Sequence, residues 1–337
     1  MSAARRWRNL LTTLGVGYLG LAAWNGYVYR RTRELPLPLP LEGEAGTYEW
    51  PGGRIFYTRR GQGEPLLLVH GIYAGADSHE FQYVFQALAE HYQVYAYDLL
   101  GFGHSARPNV RYSGALCVRL LTDFIRDVIG RPTSVVATSL SGGHAIVAAS
   151  QERGLIRRLI LEAPTGRTAA TRPSAVADAA YIALNLLPDL AEGLLNAIAS
   201  RASIRWYLRN MAFYDPSKVT DELVEYGYRS AHQPGAQYPF VAFLTGRFDV
   251  ALEGALRSLP QPLALIWGRE ARFTPVQQAE WFLRARPDAM LNVVEQTGID
   301  VVRERPDEFV HVTLATLGHR PAGPAPKEMA ERAGARA

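Results

Sequence analysis

Six short apolar runs, at residues 65–70, 92–98, 133–137, 155–161, 262–267 and 290–294, are bounded by turn residues and mostly separated by stretches of helical periodicity. Runs this short and apolar read as strands buried on both faces. Parallel strands need long crossovers, so the alternation predicts a mostly parallel sheet with helices on both faces. Upstream, residues 47–60 read as a hairpin turning through Pro51, Gly52 and Gly53, which brings the expected sheet to eight strands. Between residues 166 and 246 the alternation stops, and an Ala- and Leu-rich helical stretch at 176–200 is followed by another at 204–208. This segment is expected to be a helical lid inserted after the sixth strand, leaving 43–165 and 247–319 as the core.

The N-terminal pattern differs. Residues 10–29 carry no charge and lie between Arg5, Arg6 and Arg8 on one side and Arg30, Arg31 and Arg33 on the other, with Trp7, Trp24, Tyr27 and Tyr29 near the ends. A helix of that length spans about 30 Å, the thickness of a bilayer's hydrocarbon, so residues 1–33 are expected to be a single-pass membrane anchor. The balanced arginines leave its orientation open. A cleaved signal peptide or a helix lying in the interface are the alternatives, and the three arginines that follow disfavour cleavage. The alternating prolines of 34–42 predict an extended stalk at about 3.1 Å per residue. Residues 320–337, rich in Ala, Pro, Gly and charge, are expected to be a mobile tail.

Composition narrows the classes. With 337 residues, 48% hydrophobic and 20% charged, the chain fits a globular protein built around one sheet. The net charge of +4 gathers around the N-terminal apolar segment and forms no stripe, so nucleic acid is not an expected partner. Cys117 is the only cysteine, which excludes an internal disulfide and a cysteine-based zinc cluster. No Gly-x-Gly-x-x-Gly follows the first strand, and neither a Walker loop nor His-Glu-x-x-His occurs, so no cofactor or metal is expected.

The candidate chemistry centres on Ser139, between the 133–137 run and a helical stretch, with small residues at Ala137, Ser141 and Gly142. A serine held on a sharp strand-to-helix turn is strained and tolerates only small flanks. A helix-capping role is the plain alternative. In order along the chain come His70-Gly71-Ile72, the segment from Asp98 to Ser105, Ser139, Trp267-Gly268 and Glu304-Arg305-Pro306. With these motifs, residues 46–317 resemble the α/β-hydrolase family, in its lid-bearing, serine-nucleophile branch. The resemblance implies that Ser139 is the nucleophile, that the N–H groups of Ile72 and Leu140 form an oxyanion hole, and that His70 braces its loop.

The pattern departs from the family at two places. Its acid position holds Ala271 and its histidine position Ile299. Substitutes for acid or base are Glu270, one residue early, Glu162 at the end of the sixth strand, and His104 and His232. Each also has a structural reading, as a solvated or end-of-strand charge or a packed histidine. Without a base, a serine hydroxyl is a weak nucleophile. Two functions stay open. One is a membrane-anchored serine hydrolase or acyltransferase acting on an apolar ester or lipid-like substrate through a non-standard triad. The other is a catalytically silent relative that binds an apolar ligand or a partner protein. The retained serine favours the first. Nothing in the sequence fixes an oligomeric state.

Overall fold

The computed structural model describes residues 3–33, 35–166 and 173–319. The expected tail at 320–337 lies outside the described residues. Eight strands, β1 (Glu44–Trp50), β2 (Gly53–Arg60), β3 (Pro65–Val69), β4 (Gln93–Tyr97), β5 (Thr133–Thr138), β6 (Ile156–Glu162), β7 (Leu263–Gly268) and β8 (Met290–Val294), form one sheet in the order β1-β2-β4-β3-β5-β6-β7-β8. The hairpin strands pair antiparallel with each other and β2 pairs antiparallel with β4; the rest run parallel.

The strands read as continuous apolar runs because helices cover both faces. Successive side chains alternate between faces, so Leu67, Val69, Val135, Ala137, Leu265 and Trp267 join one core. Leu66, Leu68, Val136, Ala264 and Ile266 join the other. The helices Gly114–Phe124 and Ser139–Gln151 pack into the first through Leu120, Phe124, Ala145 and Ala148. Phe85–Ala89 and Pro306–Leu317 pack into the second through Phe85, Leu88, Phe309 and Val312. The carboxyl ends of the parallel strands then face one edge, where such sheets hold ligands.

Over that edge lie the helices Ala175–Leu186, Pro188–Ile198, Arg201–Tyr207, Asp221–Ala231 and Gln237–Leu244, in the segment expected to be the lid. Their starts are legible. Ser174, Ser200 and Thr220 accept hydrogen bonds from the N–H groups of Ala177, Ser203 and Leu223, and Pro188 stands at a first helical position.

The N-terminal segment corrects the expectation of a membrane anchor. It is a single helix, Ala3–Arg33, yet among the described residues no helix is long and apolar enough to cross a membrane. Asn9, Thr12, Thr13 and Asn25 interrupt its apolar character. Its polar groups find protein partners: Tyr18 donates to Asp189 Oδ2 at 2.8 Å, Asn25 Nδ2 to the Asp189 carbonyl at 2.8 Å, and Asn196 Nδ2 to Asn25 Oδ1 at 3.0 Å. Gly193 lets the helices approach, since a Cβ there would lie 2.5 Å from Leu21 Cδ1. The proline segment also lies against the body instead of standing off as a stalk. Leu41 is buried, and the Pro38 carbonyl meets His104 Nε2 at 3.0 Å.

Candidate active site

β5 ends at Thr138, and the chain turns at once into the helix Ser139–Gln151. Ser139 has φ +51°, one of three non-glycine residues with positive φ among those described. A non-glycine residue there costs roughly 1–3 kcal/mol and persists only where its surroundings fix it. Here they do: Ala137 and Ser141 are fully buried, Ser141 Oγ donates to the His70 carbonyl at 2.6 Å, and Thr165 N–H donates to the Ser139 carbonyl at 3.0 Å. Gly142 is needed by space, because a Cβ would come 2.8 Å from Pro164 Cβ.

His70 braces the neighbouring loop. Its Nε2 accepts from Leu99 N–H at 3.0 Å, so Nδ1 carries the hydrogen and donates to the Gly71 carbonyl at 2.7 Å. Burial holds its pKa below the usual histidine range. Gly71 separates Ser139 from Glu80: a Cβ on it would lie 3.5 Å from Ser139 Cβ and 3.6 Å from Glu80 Oε2. Ile72 N–H takes part in no hydrogen bond among the described residues. Leu140 N–H lies in the first turn of its helix, where backbone donors have no intrahelical acceptor.

Ser139, Ile72 and Leu140 line one cavity of about 870 Å³ between the sheet edge and the helices over it. Its wall is mainly apolar, and Ile198, Trp206, Leu244 and Phe273 line it while remaining exposed, forming its mouth. Polar groups collect beside Ser139. Glu80 Oε2 accepts from Gly71 N–H at 3.1 Å and from the Tyr73 hydroxyl at 3.3 Å. Arg303 Nη1 donates to Asp300 Oδ2 at 2.9 Å. Glu162 Oε1 accepts from Val302 N–H at 3.1 Å. Burial pushes the pKa of Glu80 up, and that of Glu162 well up, with Asp300 and Glu80 adding to the shift at Glu162. Both carboxyls line the cavity with the serine.

The remaining substitutes lie elsewhere. His104 rests on Phe56 with ring centroids 4.9 Å apart, and its Nε2 faces the Pro38 carbonyl. His232 Nδ1 donates to the Tyr228 carbonyl at 2.7 Å, on a separate cavity beside the N-terminal helix. Glu270 accepts from Thr297 N–H at 2.9 Å and holds the loop after β8. None of the three lines the serine cavity. Ala271 is buried, and Ile299 lines the cavity with its N–H on the Ala212 carbonyl at 2.9 Å. His79 also lines it, stacked on Tyr226, and burial pushes its pKa down to about 3. The closest polar partner of Ser139 Oγ is Thr165 Oγ1, at 3.4 Å.

Sequence reasoning did not single out Glu80, Tyr73, Asp300 or Arg303. Asp300 and Arg303 offered a signal, an ion pair at helical spacing directly after the position where the family keeps its histidine. Glu80 offered none, since only the fold of the loop after β3 carries it to Gly71.

The sheet order, the strained serine and the overlying helices define an α/β-hydrolase. The match to the alpha/beta hydrolase family extends over residues 66–332, and the chain belongs to that family. It is 26% identical over 273 residues to a 2-hydroxy-6-oxo-6-(2'-aminophenyl)hexa-2,4-dienoic acid hydrolase of Metapseudomonas resinovorans, covering 78% of this chain and 87% of that protein. Among solved structures it is similar to a serine hydrolase involved in carbazole degradation, with TM-score 0.68 and 23% identity, covering 82% of this chain and 99% of the other. It is also similar to a membrane phospholipase A, with TM-score 0.64 and 23% identity, covering 93% and 98%. At such identities the structural likenesses establish the fold alone.

Proposed function

We propose that this protein is a serine hydrolase acting on an apolar small molecule through a carbonyl group. Ser139 attacks the carbonyl carbon, the N–H groups of Ile72 and Leu140 receive the developing oxyanion, and a buried carboxylate, Glu80 or Glu162, takes the serine proton through one intervening water. That proton passes to the leaving group, and water then releases the acyl group from Ser139. The observation that carries this reading is the positive φ of Ser139 at the wall of the 870 Å³ cavity. Such strain concentrates at functional sites, and a binding pocket has no need of it. The relative from Metapseudomonas resinovorans, a hydrolase of an oxo acid by name, supports a small carbonyl compound as substrate.

A carboxyl whose pKa is raised by burial is a stronger base than one in water, and it acts as a base only when deprotonated. Turnover is therefore expected to rise with pH through the raised pKa values of Glu80 and Glu162. The experiment is labelling by a fluorophosphonate probe together with turnover of aryl and medium-chain esters and of oxo acids. Both signals should be lost in Ser139→Ala, and turnover should fall by about a hundredfold or more in Glu80→Gln or Glu162→Gln, whichever removes the working base.

A second reading rests on the absence, among the described residues, of any histidine hydrogen-bonded to Ser139 Oγ. On that reading the cavity binds an apolar ligand without turning it over. Binding that survives Ser139→Ala, with neither labelling nor turnover in the wild type, selects it.

A further inference from the structure

The helix Pro188–Ile198 touches both the serine cavity and the N-terminal helix. Ala197 and Ile198 at its end, with Ala199 after it, line that cavity, and Ile198 is 44% exposed at the mouth. Within one to two turns of the mouth, the N-terminal helix takes hold. Tyr18 donates to Asp189 Oδ2 at 2.8 Å, Asn25 Nδ2 to the Asp189 carbonyl at 2.8 Å, and Asn196 Nδ2 to Asn25 Oδ1 at 3.0 Å. Leu21 lies over Gly193, where a Cβ would come 2.5 Å from Leu21 Cδ1. Of the four buried residues of the helix, Ala191, Gly193, Leu195 and Asn196, two are thus met by the N-terminal helix. Leu195 joins Ala199, Ala231 and Phe240 in a small cluster of its own. The preceding helix, Ala175–Leu186, buries no residue and gives little support. Eleven residues are too few to hold a helix in place without such contacts.

We infer that the N-terminal helix sets the size of molecule the serine cavity admits: Tyr18, Leu21 and Asn25 hold the helix Pro188–Ile198, and with it Ile198 at the mouth, and loosening this contact opens the mouth to bulkier substrates. The inference rests on the reading of the serine cavity as a substrate pocket. Tyr18, Leu21 and Asn25 do not line the cavity, so they are positioning residues that act on it through the helix they hold. Elements of a fold open locally in proportion to the interactions that close them. Losing one net hydrogen bond changes such an opening equilibrium about fivefold. A molecule slim enough to pass the closed mouth gains little from the opening, whereas a bulky one gains the whole factor.

The test uses the full chain with Ser139→Cys, so that access to the cavity is read without turnover. Cys117, the only natural cysteine, is buried and its pKa is pushed up to about 12 by that burial, so the chain with Ser139 intact supplies the slow background. The introduced thiolate adds across the double bond of a maleimide, and the adduct takes a proton from water. Rates are measured with N-methylmaleimide, which is slim, and N-(1-pyrenyl)maleimide, which is bulky. Adding Asn25→Leu or Gly193→Leu is expected to speed the pyrenyl reagent about fivefold or more and N-methylmaleimide less than about twofold. Adding Leu21→Ala to Gly193→Leu exchanges the large and small partners, and the pyrenyl rate is expected to return to within about twofold of its starting value. If Gly193→Leu does not fold, Tyr18→Phe, which removes the bond to Asp189, takes its place. Unchanged pyrenyl rates, equal acceleration of both reagents, or no return in the exchanged pair overturns the inference. If neither reagent reaches position 139 in the starting chain, the substrate-pocket reading falls with it. If the size-selective acceleration appears while the wild type neither labels nor turns over, the inference stands and the hydrolase reading fails.

Discussion

Arg303 and Tyr73 meet across the mouth of the sheet edge, with both terminal nitrogens of the guanidinium within 3.4 Å of the phenolic oxygen. The phenol donates in turn to Glu80. This contact ties the loop after β3, which carries Ile72, to the helix Val301–Glu304 beside Ile299. Removing the one cation that the described residues supply to the cluster leaves buried carboxyls uncompensated, and breaking buried pairs of this kind costs about 3–5 kcal/mol. Arg303→Met is therefore expected to lower the urea midpoint steeply. Tyr73→Phe removes the hydrogen bonds to Arg303 and Glu80 without removing a charge and should cost less, about 2 kcal/mol. Equal losses in the two variants would show that the guanidinium does not carry the cluster.

Asp77 gives the protein a pH dependence of known sign. Burial and the nearby Asp98 push its pKa up to about 7. Between its ordinary value near 4 and that raised value, the native state keeps a proton that the unfolded chain releases, so stability falls as pH rises. The raised Glu80 and Glu162 act in the same direction. His79 and His144, pushed down to about 3 and about 4 by burial, act oppositely, because the unfolded chain takes up their protons as pH falls below the ordinary histidine value. Asp77→Asn can keep the bonds to His79 N–H and Ser230 Oγ while removing one titration. The difference in Tm between variant and wild type is expected to shift in favour of the variant as pH rises from about 5 to about 7.5. A constant difference would contradict the raised pKa.

The contacts of the N-terminal helix explain why its character was misread from sequence. An uncharged stretch between arginines looks alike whether its partner is lipid or protein, and Asn25 decides between them only once Asp189 and Asn196 are known to face it. Asn25→Leu removes one buried and one partly buried hydrogen bond, at about 1 kcal/mol each in net terms. The loss should appear as faster amide exchange in the helix Pro188–Ile198, with little change in the sheet. Unchanged exchange there would mean that the two helices are not coupled.

The sheet was legible because its strands are short apolar runs between turn residues, and the elbow because only small residues fit at 137, 141 and 142. The polar side of the site was not. Glu80, Tyr73, Asp300 and Arg303 come from two loops far apart in sequence, and their meeting depends on long-range packing that no local pattern records. Glu162 was legible because the end of a parallel strand already lies at the edge where ligands bind. His104 and His232 looked available only because sequence does not reveal that Pro38 and Tyr228 each hold one of their ring nitrogens, away from the serine cavity.

Ala271 and Ile299 allow a direct test of what the family's aspartate and histidine would add to the carboxylate base proposed for Ser139. Ala271 follows β7 on a turn in which its N–H donates to the Gly268 carbonyl, and Ile299 borders the serine cavity. Gly268 and Gly298 hold the two loops together: a Cβ on Gly268 would lie 1.8 Å from the Gly298 carbonyl oxygen, so the backbone leading to position 299 is fixed by packing. A histidine at 299 and an aspartate at 271 would therefore rest on a frame that is already rigid. General-base catalysis contributes about a hundredfold to ten-thousandfold. The double variant Ala271→Asp with Ile299→His is expected to raise ester turnover and fluorophosphonate labelling by at least the lower figure, and Ser139→Ala added to it should abolish both. Ile299→His alone should give less, because an unoriented imidazole spends little time in the productive tautomer. If the double variant folds with an unchanged melting profile but gains nothing, then Ser139 is limited not by its base but by the oxyanion donors Ile72 and Leu140.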